Sequence, residues 1–217
     1  MSKYSLLIFD VDGTIADTDD VIVNTYIDLY KIYKKDSPID IKKFKTFSGP
    51  PLNETLRNEF PMLSYDYIYS EYKRISKDNY PKYIKSFKNI KEVLLNFKKN
   101  NIKLAICSSK IKESIEVCLK LLDLENIFDY IVGLDSVINP KPDKEGIDKI
   151  LNYFSINKSE SLFIGDTDFD YLTAKNGGLN CVIMTMLDRK YNYCNENNVK
   201  FIKSYKELEG YIILNAK

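Results

Sequence analysis

Two aspartates separated by one residue follow the first apolar segment of the chain. Asp10 comes directly after the segment 6–9, and Asp12 follows with Val11 between them. Asp is disfavoured in strands and rarely buried, and two like charges this close raise the cost of ionising both. A divalent cation would remove that cost, because hard cations take oxygen ligands. The pair therefore predicts a metal-assisted site at the carboxyl end of a strand, and a solvated turn with an Asx-type hydrogen bond is the alternative.

Polar residues that could do chemistry also follow three later apolar segments. The segments are 104–107, 130–133 and 162–164, and the residues that follow them are Ser108, Lys141, Asp166 and Asp170. Each signal is weak alone, because a hydroxyl after a strand commonly caps a helix and a lysine between prolines commonly lies in a solvated loop. The carboxyl ends of parallel strands, however, lie along one edge of a sheet. We therefore expect these side chains to converge with Asp10 and Asp12 in one site.

The apolar segments alternate with segments of helical periodicity. The pattern predicts strands near 5–9, 104–107, 130–133, 162–164 and 181–184. It predicts one helix that begins near 18 and further helices over 90–97, 111–122, 147–154 and 205–213. It also predicts a short helix that ends at Gly177 and Gly178. Alternation of this kind is typical of an α/β fold with a doubly wound parallel sheet and helices on both faces.

One long interval lacks the strand signal. No strand is convincing between about 17 and 85, and this interval is too long for a single crossover connection. The tyrosines and isoleucines at 65, 68, 69, 72 and 75 have helical spacing, so we expect a core there rather than an aromatic recognition surface. We predict a Rossmann-like core from 1–16 and 86–217, with an all-helical cap, 17–85, inserted after the first strand.

Composition excludes several classes of protein and of catalytic site. The 217-residue chain has a net charge of +1 and no apolar run long enough to span a bilayer, so we expect neither nucleic acid nor a membrane as partner. It has no histidine, which excludes Ser-His-Asp catalysis and histidine-ligated zinc. The first residues lead into a strand instead of a signal peptide, so we expect a cytoplasmic protein. We expect its cysteines to be reduced core residues: Cys107, Cys118, Cys181 and Cys194.

The four segment ends, taken in order, resemble the signature motifs of the haloacid dehalogenase-like hydrolase superfamily. The matching residues, in motif order, are 9–14, Ser108, Lys141 with Pro142, and 165–170. The helical insertion resembles the cap of the phosphoglycolate phosphatases of that superfamily. The segments 48–52 and 108–110 are similar to those of its bacterial pyrophosphatases. Ser109 departs from the asparagine that phosphoglycolate phosphatases often carry before the lysine.

The resemblance implies a role for each matching residue. Asp10 would be the nucleophile that forms an aspartyl-phosphate, and Asp12 would be the acid for the leaving group and then the base for water. Ser108 would donate a hydrogen bond to a phosphoryl oxygen, and Lys141 would offset charge on Asp10 and on the phosphoryl group. The implied cofactor is Mg²⁺, and its ligands would be Asp10, the backbone carbonyl of Asp12, Asp166 and, at the edge of the shell, Asp170.

The resemblance also implies a substrate class. We expect a small phosphate monoester, phosphoglycolate-like or a sugar phosphate, or pyrophosphate, and a protein that is a monomer or a homodimer. The predicted substrate-binding residues are Ser108, Ser109, Lys141, Gly49 and Arg57. The planar guanidinium of Arg57 could bind an anionic end of the substrate, and a solvated helix residue is the alternative. A sugar phosphomutase of the same superfamily and a non-catalytic binding or regulatory protein are the alternative functions.

Overall fold

The computed structural model describes residues 3–193 and 199–214. Its internal contacts divide the chain into two compact units, one formed by Met1–Ala16 with Ser86–Lys217 and the other by Asp17–Lys85. The first unit combines strands with helices, and the second is built from helices. Each unit has its own apolar core, so each can be described by itself.

A parallel sheet forms the middle of the α/β unit. The strands of the described chain are β1 (Leu6–Phe9), β2 (Ala16–Asp17), β3 (Lys85–Ser86), β4 (Lys103–Cys107), β5 (Tyr130–Val132), β6 (Ser161–Gly165), β7 (Asn180–Met184) and β8 (Lys200–Ile202). Within the described residues, six of them form one sheet in the order β5-β4-β1-β6-β7-β8. All neighbours in this sheet run parallel. The two-residue strands β2 and β3 pair with each other where the chain passes between the units.

Helices cover the sheet. The α-helices are α1 (Asp19–Tyr33), α2 (Ile41–Lys45), α3 (Leu52–Glu59), α4 (Tyr65–Tyr83), α5 (Ile90–Lys99), α6 (Lys112–Leu121), α7 (Glu145–Phe154), α8 (Asp168–Gly177) and α9 (Tyr205–Glu209). Every residue of β1 and of β6 is buried, which requires cover on both faces of the sheet. Helices α5 and α7 pack against β4, and α8 packs against β6 and β7. One apolar cluster joins Ile8 and Phe163 of the sheet to Ile147 of α7.

The order of the strands determines where a ligand can bind. From β1 the chain adds β4 and β5 on one side, and it then returns to add β6, β7 and β8 on the other side. Ligands of open α/β sheets bind at the carboxyl ends of the strands, where the order reverses in this way. Asp10 follows β1, and its backbone N–H donates to the carbonyl of Ile164 in β6 at 2.9 Å. Asp10 therefore lies at the switch point of the sheet.

The helical unit is built around an aromatic core. Helices α1 and α4 pack against each other. The most deeply buried residues of the core include Tyr26, Leu29, Phe44, Leu56 and Ile68. Ile75 is also buried, and Tyr65, Tyr69 and Tyr72 pack against this cluster. The tyrosine-rich segment thus contributes to the core of its unit, as its helical spacing predicts.

The predicted fold class is confirmed, and three local features differ from the predictions. Strand β8 was not predicted, because three residues are too few for alternation to be visible. The helix predicted over 205–213 is α-helical only as far as Glu209 and continues as a π-helical turn over Gly210–Leu214, where a glycine weakens the α-helix. Asp17 and Lys85, at the limits of the interval without a predicted strand, belong to β2 and β3.

The described cysteines agree with the expectation from composition. Cys107, Cys118 and Cys181 are buried thiols without a disulfide bond, as predicted, and Cys194 lies outside the described residues. Within 3–193 and 199–214, no helix combines the length and the apolar character needed to cross a membrane.

A buried carboxylate, Glu59, anchors polar side chains at the edge of the helical core. It is 5% exposed, it accepts hydrogen bonds from the hydroxyl of Tyr30 and, at 2.8 Å, from Lys43 Nζ, and Lys34 Nζ lies 3.9 Å away. Burial alone would raise the pKa of Glu59. The hydrogen bonds from Lys43 and Tyr30, together with the charges of Lys43 and Lys34, outweigh burial and hold this pKa below its usual value of 4.5.

Glu59→Gln should lower the free energy of unfolding by about 1–2 kcal/mol, because a buried hydrogen-bond acceptor loses its charge. The expected loss is modest, since the side chain of Lys43 is exposed to solvent and water screens its ion pair with Glu59. The exposed Glu54 of the same helix supplies the control Glu54→Gln, which should have no effect. The pKa of Glu59 is lower in the folded state, so its contribution is present above about pH 4.5 and is lost as the pH falls through the folded-state pKa. Urea unfolding of the full chain at neutral and acidic pH checks this. A difference between wild type and Glu59→Gln that stays undiminished in acid would contradict it.

Candidate active site

Lys141 joins two carboxylates at the carboxyl edge of the sheet. Its Nζ lies 2.8 Å from Asp10 Oδ1 and 2.5 Å from Asp170 Oδ1. All three side chains are buried, and Lys141 Nζ also lies 3.5 Å from the carbonyl oxygen of Cys107 in β4. Charge-assisted hydrogen bonds of this kind are short and strong, so Lys141 fixes the positions of both carboxylates.

Asp170 ties this ion pair to the loop that follows β6. Its Oδ2 accepts hydrogen bonds from the backbone N–H groups of Asp166 (3.1 Å) and Thr167 (3.0 Å) and from the Thr167 hydroxyl (2.7 Å). Thr167 in turn caps helix α8, whose third residue is Asp170, so the two residues form a capping box. Both oxygens of Asp170 therefore have partners within the protein, and its side chain holds Lys141 and the loop in place.

Asp166 is fully buried and lies against Gly13. Gly13 has a φ of +76°, and a Cβ atom at this position would lie 1.9 Å from Asp166 Oδ2. Only glycine gives both the conformation and the space that this approach requires. Asp166 Oδ2 also accepts a hydrogen bond from Arg189 Nε at 2.8 Å, and Arg189 lies on the segment that follows β7.

The second aspartate of the first motif has its own cation. Lys110 Nζ lies 3.0 Å from Asp12 Oδ2, and both side chains are partly exposed, by 13% and 23% respectively. Ser108 is buried at the end of β4, and its hydroxyl accepts a hydrogen bond from the backbone N–H of Lys110 at 3.3 Å. Ser109 is half-buried between them. The segment after β4 thus places the ammonium group of Lys110 beside Asp12 of the first motif, with the hydroxyl of Ser108 two residues before it in the chain.

Burial and neighbouring charges change the pKa values of these groups. It raises the pKa of Asp10 from 3.8 to about 6, although the neighbouring Lys141 ammonium lowers it. It also raises the pKa of Asp166 well above its usual value, against the effect of Arg189. Burial alone would lower the pKa of Lys141, but Asp10 and Asp170 outweigh it and raise this pKa. The protein therefore stabilises the negative charge of Asp10 and Asp166 less well than water would.

These residues fit a divalent metal ion. Asp10, Asp166 and Asp170 each offer an oxygen, and the three oxygens lie within 4.8 Å of one another in a buried setting. Carboxylate oxygens suit Mg²⁺, and a cation here would offset the desolvation of Asp10 and Asp166. The carboxylate of Asp12 is not part of this group, which leaves its backbone carbonyl as the predicted ligand.

The predicted site residues are divided between the two units of the chain. Asp10, Asp12, Ser108, Ser109, Lys141, Asp166 and Asp170 belong to the α/β unit, and Gly49 and Arg57 belong to the helical unit. Gly49 has a φ of +116°, so a larger residue there would strain the backbone. Arg57 is exposed, and its guanidinium lies over the ring of Tyr65, 4.6 Å from the centroid.

Two cations of the site were missed in the sequence. Lys110 and Arg189 each pair with a motif aspartate, yet no role was predicted for either residue. For Lys110 a signal was present, because it follows Ser108 and Ser109 at the end of a strand. Arg189 comes several residues after β7, and only the folded chain shows that this segment returns to Asp166.

The glycine beside Asp166 gives a direct test of this geometry. Gly13→Ala should reduce hydrolytic activity by about 100-fold or more, because the new methyl group displaces a carboxylate from its position. Gly178→Ala is the matched control, since Gly178 also has a positive φ of +73° but its Cβ would meet nothing closer than 3.6 Å. That variant should lose about 1 kcal/mol of stability through backbone strain and keep its activity. Steady-state kinetics and thermal unfolding of both variants check this, and equal activity losses would show that the contact with Asp166 is not what matters.

Comparison with known proteins places these residues in a family. A family model described as haloacid dehalogenase-like hydrolase matches residues 7–184, which include all four motifs. Pyrophosphatase PpaX from Halalkalibacterium halodurans is 27% identical over 206 residues, which cover 92% of each chain. Pyrophosphatase PpaX from Listeria welshimeri is 31% identical over 176 residues, which cover 80% of each chain.

A solved structure shows the same fold. The chain superposes on CbbY from Rhodobacter sphaeroides, which was solved in complex with phosphate, with a TM-score of 0.81, at 18% identity and over 96% of each chain. The family-model match and the pyrophosphatase relatives confirm the predicted resemblance and the predicted enzyme class, a phosphatase. The chain belongs to the haloacid dehalogenase-like hydrolase family.

Proposed function

We propose that the chain is a Mg²⁺-dependent phosphatase that hydrolyses a small phosphate monoester or pyrophosphate through an aspartyl-phosphate on Asp10. The observation that carries this proposal is the contact of one buried ammonium, Lys141, with Asp10 and Asp170, beside a third buried carboxylate, Asp166. A buried nucleophile that is fixed by a cation and lies at the switch point of the sheet is suited to phosphoryl transfer, in which positioning and electrostatics supply most of the catalysis.

The residues that would hold Mg²⁺ are Asp10, Asp166 and the backbone carbonyl of Asp12. The bound ion would neutralise charge on the transferring phosphoryl group and on the carboxylates around it. Asp170 is closely placed, but Lys141 and the Thr167 loop engage both of its oxygens. We therefore assign Asp170 the role of positioning Lys141 and the loop that carries Asp166.

In the first half of the reaction, a carboxylate oxygen of Asp10 attacks the phosphorus atom of the substrate. The bond from phosphorus to the leaving oxygen breaks, and Asp12 donates a proton to that oxygen. Burial raises the pKa of Asp10, and the Lys141 ammonium lowers it and so favours the ionised carboxylate that the attack requires. Lys141 holds the carboxylate in place during the attack, because it binds Oδ1 at 2.8 Å.

In the second half, water attacks the phosphorus of the aspartyl-phosphate. Asp12 takes the proton from this water, the bond between phosphorus and Asp10 breaks, and phosphate leaves. The hydroxyl of Ser108 and the ammonium of Lys141 would stabilise the phosphoryl oxygens in both halves. Lys110 Nζ, 3.0 Å from Asp12 Oδ2, would offset the negative charge that Asp12 carries between the two halves, after it has donated its proton to the leaving oxygen.

The helical unit is the part of the chain that we expect to select the substrate. It is inserted in the chain between β1, which Asp10 follows, and β4, which Ser108 follows. We propose that this unit, Asp17–Lys85, is a cap. Relatives named pyrophosphatase that match most of this chain support pyrophosphate or a similarly small phosphate compound as the substrate.

Activity should require a divalent cation. Phosphate release from a panel of small phosphate esters and pyrophosphate should occur with Mg²⁺ and be lost in excess chelator, because buried carboxylates would otherwise repel the anionic substrate. Parallel detection of isomerised sugar phosphate distinguishes a mutase from a phosphatase. Turnover that continues in chelator with no metal bound would contradict the metal assignment. A failure to turn over any substrate would favour a binding protein.

Removing the carboxylates should have different kinetic consequences. Asp10→Asn should lower the rate by about 10³-fold or more, because an amide cannot accept the phosphoryl group. Asp12→Asn should lower it by about 10²–10⁴-fold for esters of alcohols, and less in the first step for esters with good leaving groups. The exposed Asp78 of the helical unit supplies the control Asp78→Asn, which should keep its activity. Pre-steady-state release of the leaving group checks the first step. Wild-type turnover by Asp10→Asn would rule out covalent catalysis by this residue.

A further inference from the structure

Among residues 3–193 and 199–214, Arg189 is the cation of the site that the proposed mechanism does not use. Its Nε lies 2.8 Å from Asp166 Oδ2, and the two side chains are 8% and 0% exposed. Arg189 lies outside all four motifs, on the segment that follows β7. A buried guanidinium on a carboxylate that is also expected to bind a metal ion calls for an explanation, because both cations would use the same group.

The charges of the site argue against binding both cations at once. The carboxylates are those of Asp10, Asp12, Asp166 and Asp170, and the cations that pair with them are Lys110, Lys141 and Arg189. With all four carboxylates ionised, these groups leave one negative charge. A divalent ion would reverse this to one positive charge if Arg189 stayed, and would give neutrality if Arg189 withdrew. Repulsion between a guanidinium and a metal ion that share one buried carboxylate is strong, because little water screens it.

The segment that carries Arg189 can release the side chain without disturbing the sheet. Between β7 and Tyr193 the described chain has no helix or strand, and the neighbouring residues Asp188 and Lys190 are exposed. The segment is held further along by Asp168, whose carboxylate accepts hydrogen bonds from the backbone N–H groups of Asn192 (2.6 Å) and Tyr193 (3.1 Å). Withdrawal of Arg189 from Asp166 therefore does not require a strand of the sheet to move.

We propose that Arg189 is an internal counter-ion of Asp166 that a divalent cation must displace, so that Arg189 sets the affinity of the site for its metal. This inference rests on the proposed function only in that it assumes a metal site at Asp166. Arg189 acts through Asp166 and is a positioning residue. It stabilises Asp166 when no metal is bound, and it weakens metal binding by competing for the same carboxylate.

Calorimetric titration of the full chain with Mg²⁺, and with Mn²⁺ as a second probe, tests the proposal. Arg189→Gln removes the charge and should bind the metal at least about tenfold more tightly than wild type. Arg189→Lys keeps a cation and should bind within about threefold of wild type. Lys190→Gln, which removes a neighbouring exposed charge, should leave the dissociation constant unchanged. Without metal, Arg189→Gln should melt at a lower temperature than wild type, and saturating metal should remove that difference.

The outcomes separate this inference from the proposed function. Metal affinity that is unchanged or weaker in Arg189→Gln would overturn it, and would show that Arg189 orients Asp166 for the metal instead. Absence of metal binding in wild type and in all variants would also overturn it. Metal binding that is tighter in Arg189→Gln, in a protein that releases no phosphate from any substrate, would support the inference and reject the proposed function.

Discussion

The ion pair between Lys141 and the two carboxylates of Asp10 and Asp170 is the interaction on which the site depends. A parallel sheet brings the ends of β1, β4 and β6 to one edge, and it therefore collects carboxylates where water is largely excluded. Removing one partner of a buried ion pair costs about 3–5 kcal/mol, because the other charge is left without compensation. Lys141 is thus a structural requirement of this edge besides its proposed part in catalysis. Asp170 is a structural requirement too, because it connects Lys141 to the loop after β6.

Much of the fold and the site could be predicted from the sequence, because the signals were local. Apolar segments that alternate with helical periodicity predicted the parallel sheet, and polar residues at segment ends predicted the carboxylate cluster. Strand β8 and the π-helical turn after Glu209 were not predicted, since short elements are determined by tertiary contacts. Arg189 was missed for the same reason: its partner Asp166 is distant in sequence, and no motif marks the segment that brings them together.

In the proposed function the two units of the chain have different tasks, chemistry and selection of a substrate. The α/β unit contains the proposed nucleophile, the proposed acid and base, and the cations that pair with them. The helical unit has its own aromatic core and a buried Glu59 that stabilises it independently of the catalytic groups. Changes in the residues of this unit could therefore alter the preferred phosphate compound while the mechanism at Asp10 stays the same.

The aspartyl-phosphate proposed on Asp10 can be tested directly by one measurement. The full chain is mixed with Mg²⁺ and the best substrate of the panel, the reaction is quenched in acid within a single turnover, and the digested peptides are analysed by mass spectrometry. We expect one added phosphoryl group on the peptide that contains Asp10, attached to the Asp10 side chain. This phosphoryl group should disappear as phosphate is released. Phosphate release without a phosphorylated peptide in that time window, or with the group on Asp12 or another residue, would contradict the account.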